Sequence, residues 1–442
     1  MPVLSRRALL SAPAALGLST LVPGAVPGGF AAALAQESAT LPDLSDWGSV
    51  RAQFALDPSY LHFASFFIAS HPAPVRNAIE AWRRAMDRDP FQVIEHGMFG
   101  DDAHNIPLQV QTAIARYLGG DPAEVALTRS TTEGLALVYH GLPLKPGDEV
   151  LVTTHDHYSH HESIRLATQR AGASMRKIAL FEDAAQASTD AMIARLLQAV
   201  GARTRVLGLT WVHSSTGMRL PIREIAAALK AKHPELLLVV GGVHGLGAVD
   251  EPLATMGADY FCAGCHKWMC APRGTGLVWA NADNWARLTP LVPSFSELES
   301  YNAWAEGREP ATPNTAARAT PGGFHAFEHQ WAMGAAFEMH QRIGRSRVAA
   351  RIRTLNDRLK AALADHRKVR IHTPISGELS AGLVAFEIEG VPATEVVRRL
   401  LAQRIVASTS PYAVSYARLA PSLVNTPEEV DRAAQAVRAI AG

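Results

Sequence analysis

From residue 125 onward, short apolar runs alternate with stretches in which apolar residues recur every third or fourth position. Val125 to Thr128, Glu149 to Thr153, Arg205 to Trp211 and Leu236 to Val240 are too short for helices and end in polar or glycine-containing loops, so each reads as a buried strand. Ile193, Leu196, Leu197 and Val200 share one face at helical spacing, and Gly201 ends the helix they predict. Further helices are expected over Arg76 to Met86 and from Thr132. This alternation predicts an α/β fold: a mainly parallel sheet sandwiched by helices. Such sheets bind ligands beyond the carboxyl ends of their strands, and Thr131, His157, Ser215, His244 and Lys267 all fall there.

Past Phe324 the pattern changes. A long helical region (Gln330 to Ala364), a strand (Leu383 to Ile388), a helix (Ala393 to Gln403), two short strands around Val406 and Tyr416 and a last helix from Pro427 predict a smaller C-terminal α/β domain. The expected division is an N-terminal segment 1–35, an arm 36–80, a large domain 81–325 and a small domain 326–442. Within the arm, the apolar and aromatic stretch from Tyr60 to Ser70 is expected to run extended near the site.

With 442 residues, 48% hydrophobic and 19% charged, the chain can build two or three domains with sizeable cores. A net charge of +1 and the lack of a basic run interleaved with aromatics argue against a nucleic-acid partner. Ser5-Arg6-Arg7-Ala8-Leu9-Leu10 opens an apolar stretch, and Ala33-Leu34-Ala35 resembles a cleavage site, which together suggest a twin-arginine export signal. Pro13, Gly17, Pro23, Gly24 and Pro27 break the run well short of the ~20 apolar residues a spanning helix needs, so no membrane attachment is expected after cleavage. The expected location is the periplasm, reached in the folded state.

Cys265-His266-Lys267-Trp268, followed by Pro272-Arg273-Gly274-Thr275-Gly276, sets one lysine between a strand end and a glycine-rich turn. A protonated amine is a poor nucleophile, so a lysine doing covalent chemistry sits partly desolvated beside cationic or polar groups, which His266 and Arg273 could supply. The competing reading is a surface lysine before a tight turn. Thr131-Thr132-Glu133 opens a helix directly after a strand and suits a phosphate at the positive helix end, or is a simple N-cap. His155, His157, His160 and His161 have spacings that could share a metal ion. Cys262-Ala263-Gly264-Cys265-His266 matches a covalent haem attachment pattern, but haem is attached to unfolded chains and this stretch lies inside an α/β unit. All three cysteines crowd the lysine segment, which leaves no long-range disulfide framework.

The order Gly241-Gly242-Val243-His244, then Gly257-Ala258-Asp259, then the lysine segment resembles the class V aminotransferases, a family of pyridoxal-phosphate enzymes, and most closely their isopenicillin N epimerase-like branch. Thr131-Thr132-Glu133, His157, Ser215-Thr216-Gly217 and Arg418 fall in the order that family shows, so the resemblance spans most of the chain after about residue 55. It implies the fold of type I pyridoxal-phosphate enzymes, with Lys267 as Schiff-base partner and proton carrier. It also implies cofactor contacts from Thr131, Thr132, His157, Ser215, Gly241, His244 and His266, with His157 flat against the ring and His244 near the phenolic oxygen. Arg418 would grip the carboxylate of an amino-acid-like substrate, a task suited to a planar fork. His213 would approach that substrate, and the protein would be a homodimer. Epimerisation is the implied reaction, with carbon–sulfur lysis and transamination as alternatives and no metal. Cysteine desulfuration fits poorly, since it needs a mobile cysteine on a separate loop.

One departure matters. At the position of Gly241 the family has an aspartate whose carboxylate keeps a proton on the cofactor's pyridine nitrogen and makes the ring an electron sink. Glycine cannot do that, which leaves three readings: an impaired or non-catalytic homologue, a reaction needing little carbanion stabilisation, or an acid supplied from elsewhere.

Overall fold

The computed structural model describes residues 42–295 and 297–442, so the expected export signal and its cleavage site lie outside the described residues. After a two-residue strand in the arm, β1 (Leu61–His62), seven strands form the large sheet: β2 (Val125–Thr128), β3 (Glu149–Thr153), β4 (Ser174–Ile178), β5 (Thr204–Thr210), β6 (Leu237–Gly241), β7 (Tyr260–Gly264) and β8 (Gly276–Trp279). Their spatial order is β2-β8-β7-β6-β5-β3-β4. Within this sheet β8 runs antiparallel to both its neighbours, and the other pairings are parallel.

Strand alternation explains why both faces need cover. Leu151, Leu207, Leu238, Val240, Phe261 and Leu277 point to one face, where Leu196, Ile222, Ile225 and Leu229 of two helices pack on them. Val150, Val152, Val206, Val239, Tyr260 and Val278 point to the other, against Leu135, Val138, Tyr139 and Ile164. A sheet apolar on both sides reads as continuous hydrophobic runs, which is the pattern β3, β5 and β6 show in the sequence. The predicted α/β sandwich is the observed fold.

The chain leaves β3 toward β4 on one side, whereas it leaves β5 toward β6 on the other. The crevice at that reversal, between the carboxyl ends of β3 and β5, is where a ligand of such a sheet binds. Asp156 and His157 follow β3, and His213 to Ser215 follow β5.

The C-terminal part builds its own sheet from β9 (Val369–Ile371), β10 (Val384–Ile388), β12 (Ser408–Thr409) and β13 (Ala417–Leu419), antiparallel in the order β12-β13-β10-β9. Helices Arg345–Ala364, Ala393–Ala402 and Pro427–Ala441 cover it through Leu355, Leu359, Leu400, Val430 and Val437. Strand β11 (Ile405–Val406) pairs in parallel with β1 as a separate two-stranded sheet, which ties the arm to the C-terminal part. The arm is extended only in part, for its remainder passes the site as a loop. The single helical region expected over Gln330 to Ala364 is three helices, Phe327–Trp331, Met333–Ile343 and Arg345–Ala364. The second break is at Gly344, whose φ of 97° is in the left-handed region that glycine enters without strain.

Close packing beneath the crevice leaves no room for a side chain at Gly242. A Cβ on Gly242 would land inside the fully buried Phe261 ring, whereas one on Gly201 would meet nothing. Gly242→Ala is expected to lose about 1–3 kcal/mol or more by overpacking, read as a lower denaturation midpoint. Gly201→Ala should stay within about 0.5 kcal/mol of the parent.

Candidate active site

Lys267 lies in the turn that follows β7, a turn closed by the Cys270 amide donating to the Lys267 carbonyl at 2.9 Å. Cys270 takes a φ of 54° to make that turn. The Lys267 amine is 2.9 Å from Nε2 of His244, which stands on the turn after β6. Loss of water around the amine, and then the Arg418 guanidinium, hold it well below 10.5, at about 8. Burial, then the charges of Lys267 and Arg418, push His244 well below 6.5, so its ring is neutral and Nε2 accepts from the ammonium. The proton then sits on Nδ1, which is buried without a partner. Phe66 of the arm holds this ring, with centroids 5.9 Å apart.

Arg418, on β13, is 3% exposed yet forms no ion pair among the described residues. Its guanidinium donates to Ser408 Oγ (3.2 Å), the Ser214 carbonyl (2.5 Å) and the Thr409 carbonyl (2.7 Å), and lies 4.8 Å over the Phe66 ring. Desolvation lowers it to about 10. Three of its five N–H groups are thus engaged by neutral acceptors, which leaves capacity for an anion. Ser214 in turn shares a 2.6 Å hydrogen bond with the Tyr412 hydroxyl, and the Tyr412 ring stands edge-on to His157 at 6.3 Å.

Helix Thr131–Gly141 begins at the end of β2, and its cap is Ser130, whose Oγ accepts from the Glu133 amide at 3.1 Å. Thr131 is therefore free of the capping task, and its Oγ1 accepts from the Gly264 amide at 2.7 Å. A Cβ on Gly264 would press on the His266 ring and come within 3.2 Å of Thr131 Oγ1, so glycine leaves a cradle there at the positive end of a helix. Burial and the neighbouring Lys267 push His266 down to about 4.

Under the crevice lies a polar cluster. Oδ2 of Asp156 accepts from the Thr153 amide (2.9 Å) and hydroxyl (2.6 Å), while its Oδ1 has no hydrogen-bond partner and lies 3.8 Å from His160 Nδ1. His160 Nε2 meets the Tyr139 hydroxyl at 2.7 Å. His213 is buried with both ring nitrogens unpartnered, near His155 (centroids 5.7 Å) and Phe181 (5.9 Å).

The structure thus brings Lys267, His244, Arg418, His157, His266 and Thr131 around one crevice, with Gly241 at its floor beside His160 and Thr210. Thr132 is exposed and Ser215 half-buried, and neither side chain makes a hydrogen bond among the described residues. Arg273, expected to help depress Lys267, is exposed: its charge faces His71, and its carbonyl meets His329 Nδ1 at 3.0 Å. His160, one of the histidines whose spacing could share a metal ion, is a buried helix residue of the cluster. Among the described residues no three His, Cys, Asp or Glu side chains gather as metal ligands. Cys262 and Cys265 are fully buried in different cores, so they cannot hold one haem edge. Sequence reading missed Asp156, Ser214, Tyr412 and Phe66. Ser214 and Asp156 were flagged only by being adjacent to expected residues.

A sequence model described as Aminotransferase class-V matches residues 72–432. The isopenicillin N epimerase of Streptomyces clavuligerus is 26% identical over 411 residues, covering 90% of this chain and 99% of the relative. A probable cysteine desulfurase of Pseudomonas aeruginosa is 27% identical over 300 residues, 67% of this chain and 70% of the other. Among solved structures, the apo cysteine desulfurase of Thermococcus onnurineus NA1 superposes with a TM-score of 0.75 at 17% identity, over 89% of this chain and 98% of the other. A cystine C-S lyase in complex with cysteine persulfide gives 0.74 at 22% identity, over 86% and 97%.

The amine at about 8 against an ordinary 10.5 has a thermodynamic signature. Between those pH values the unfolded chain binds a proton at Lys267 that the folded chain does not, so stability rises with pH across that window. Denaturation of cofactor-free protein at several pH values should show this rise, and Lys267→Met should remove it.

Proposed function

The chain belongs to the class V aminotransferases, and from that membership we propose that it holds pyridoxal 5′-phosphate on Lys267 and acts epimerase-like at the α-carbon of a small amino acid or amino-acid derivative. The observation that carries this reading is the Lys267 amine, held at about 8 and paired with a neutral imidazole rather than a carboxylate. An amine near neutrality can both attack an aldehyde and pass a proton in either direction.

The remaining residues fit the cofactor. The cradle at Gly264, with Thr131 and His266 beside a helix start, suits its phosphate. The orphaned Nδ1–H of His244 and the orphaned Oδ1 of Asp156 are polar atoms that a ring bearing oxygen and nitrogen would satisfy. When bound, the cofactor withdraws electrons from the substrate's α-carbon and loosens its proton. Lys267 then takes and returns that proton at Nζ. Arg418 orients the substrate by its carboxylate, the Phe66 face keeps water from the guanidinium, and Ser214 with Tyr412 fixes the near wall. Cys262, Cys265 and Cys270 are buried, with thiols pushed upward by desolvation, so none serves as a desulfurase nucleophile.

The proposal includes a homodimer and export through the twin-arginine route. Phe67, Ile68 and Tyr158 stand 67%, 46% and 73% exposed next to Phe66 and His157, an apolar rim suited to a second subunit at the mouth of the site.

Purified protein with added cofactor should show a visible band near ~420 nm that Lys267→Ala abolishes. In D2O, an amino-acid substrate should gain deuterium at its α-carbon and change configuration without a 2-oxo acid acceptor. A strict need for such an acceptor would point to transamination instead. Arg418→Lys should keep the band but lower kcat/KM by about 10- to 100-fold, chiefly through KM, because the charge stays while the fork is lost.

A further inference from the structure

We propose that Asp156 supplies the carboxylate that this chain lacks at Gly241, facing the pyridine nitrogen of the bound cofactor and keeping a proton on it. The inference rests on the reading of the crevice as a pyridoxal-phosphate site.

Glycine is not forced on position 241 by packing or backbone. Its φ is not in the left-handed region, and a Cβ there would make only ordinary contacts, at 3.5 Å from His160 Nδ1 and 3.8 Å from Thr210 Oγ1. The side chain is simply missing, and the space it would fill borders those two groups. Asp156 borders them too. It enters from the loop after β3, with Oδ1 3.8 Å from the same His160 Nδ1, which also lies 3.4 Å from the Thr210 hydroxyl. Thr210 pairs directly with Gly241 across β5 and β6, and β3 flanks β5 on its other side, so the two carboxylate positions approach one place from the two strands on either side of β5.

The state of Asp156 shows that it lacks a partner. Its side chain is wholly buried, one oxygen is filled by Thr153, and the other has no hydrogen-bond partner among the described residues. Burial raises its pKa, but His160, His213 and the Thr153 and Thr210 hydroxyls lower it by more, so it is an anion. Burial drives both imidazoles down to about 4, so at neutral pH they offer only their dipoles. Among the described residues no lysine or arginine pairs with it. A buried anion with an open oxygen calls for a cationic N–H donor. A pyridinium is such a donor: its N–H donates to Oδ1, and no bond is made or broken in the protein. The bond between Tyr139 and His160 fixes the imidazole so that Nδ1, not Nε2, faces this space.

The test uses cofactor labelled with 15N in its ring, bound to the full-length protein. In the parent protein the ring nitrogen should resonate at the upfield position of a pyridinium at pH 7. In Asp156→Asn it should move downfield to the neutral position, and cofactor affinity should fall at least tenfold. In Asp156→Asn with Gly241→Asp, both should return toward the parent values, which a merely structural loss at Thr153 would not allow. A neutral ring nitrogen in the parent, or an unchanged shift in Asp156→Asn, overturns the proposal. The parent measurement decides even if the variant does not fold. A parent that binds no cofactor overturns the underlying reading with it, whereas a visible band with a neutral nitrogen overturns this inference alone.

Discussion

Five groups able to carry positive charge, Lys267, Arg418, His157, His244 and His266, converge on one crevice, and among the described residues no carboxylate pairs with any of them. Bringing like charges together out of water is unfavourable, and the chain answers it by depressing each group: the imidazoles are neutral, Lys267 keeps its proton at pH 7 but gives it up far more easily than an ordinary lysine, and Arg418 remains a full cation. A site that tolerates this in the free protein is one whose balance is restored by anions. A phosphate near Thr131 and a substrate carboxylate at Arg418 would each relieve part of the strain, so ligand binding and electrostatic relaxation are one event.

The sheet makes the convergence possible. Parallel strands deliver their carboxyl ends to a single edge, and the reversal between β3 and β5 opens a gap there instead of a packed surface. Into that gap the small domain contributes Arg418 from β13, and the arm contributes Phe66, which touches both His244 and Arg418. The pairing of β1 with β11 and the amide of Ala69 on the His266 carbonyl hold the arm to both parts. Phe66 is therefore the hinge between the two halves of the site: its ring screens a guanidinium from water on one side and seats an imidazole on the other.

How much of this was legible in the sequence followed from how strongly each feature advertises itself. Buried strands rich in apolar residues, such as β6 with Leu237 to Val240 and β5 with Val206, Leu207 and Leu209, were readable. Strand β4 was not: Ser174–Ile178 is an edge strand carrying Arg176 and Lys177 and has no such run. The Gly344 break was hidden because apolar residues keep helical spacing on both sides of it. At the site, residues with a local motif were found, but those placed by the fold were not. Tyr412 reaches Ser214 from the other domain, and Asp156 precedes the more conspicuous His157 while pointing the opposite way, into the protein. Arg273 failed for the converse reason, since closeness in sequence to Lys267 did not bring its charge to the amine.

Gly241 shows the same limit from the side of function. Read along the chain, it is a lost carboxylate and suggests a lost activity. Read across the sheet, the loss is local to one strand end, and the neighbouring ends carry a threonine and a buried, half-satisfied aspartate against the same imidazole nitrogen. An electron sink requires an anion at a place, not at a position in the sequence. Where several strands end at one crevice, the place can be reached from more than one of them, so a missing motif residue tells against activity only after its neighbours in space have been searched. Here that search ends on an anion which, with one oxygen unfilled and no lysine or arginine beside it among the described residues, is costly to keep unless something positive binds there.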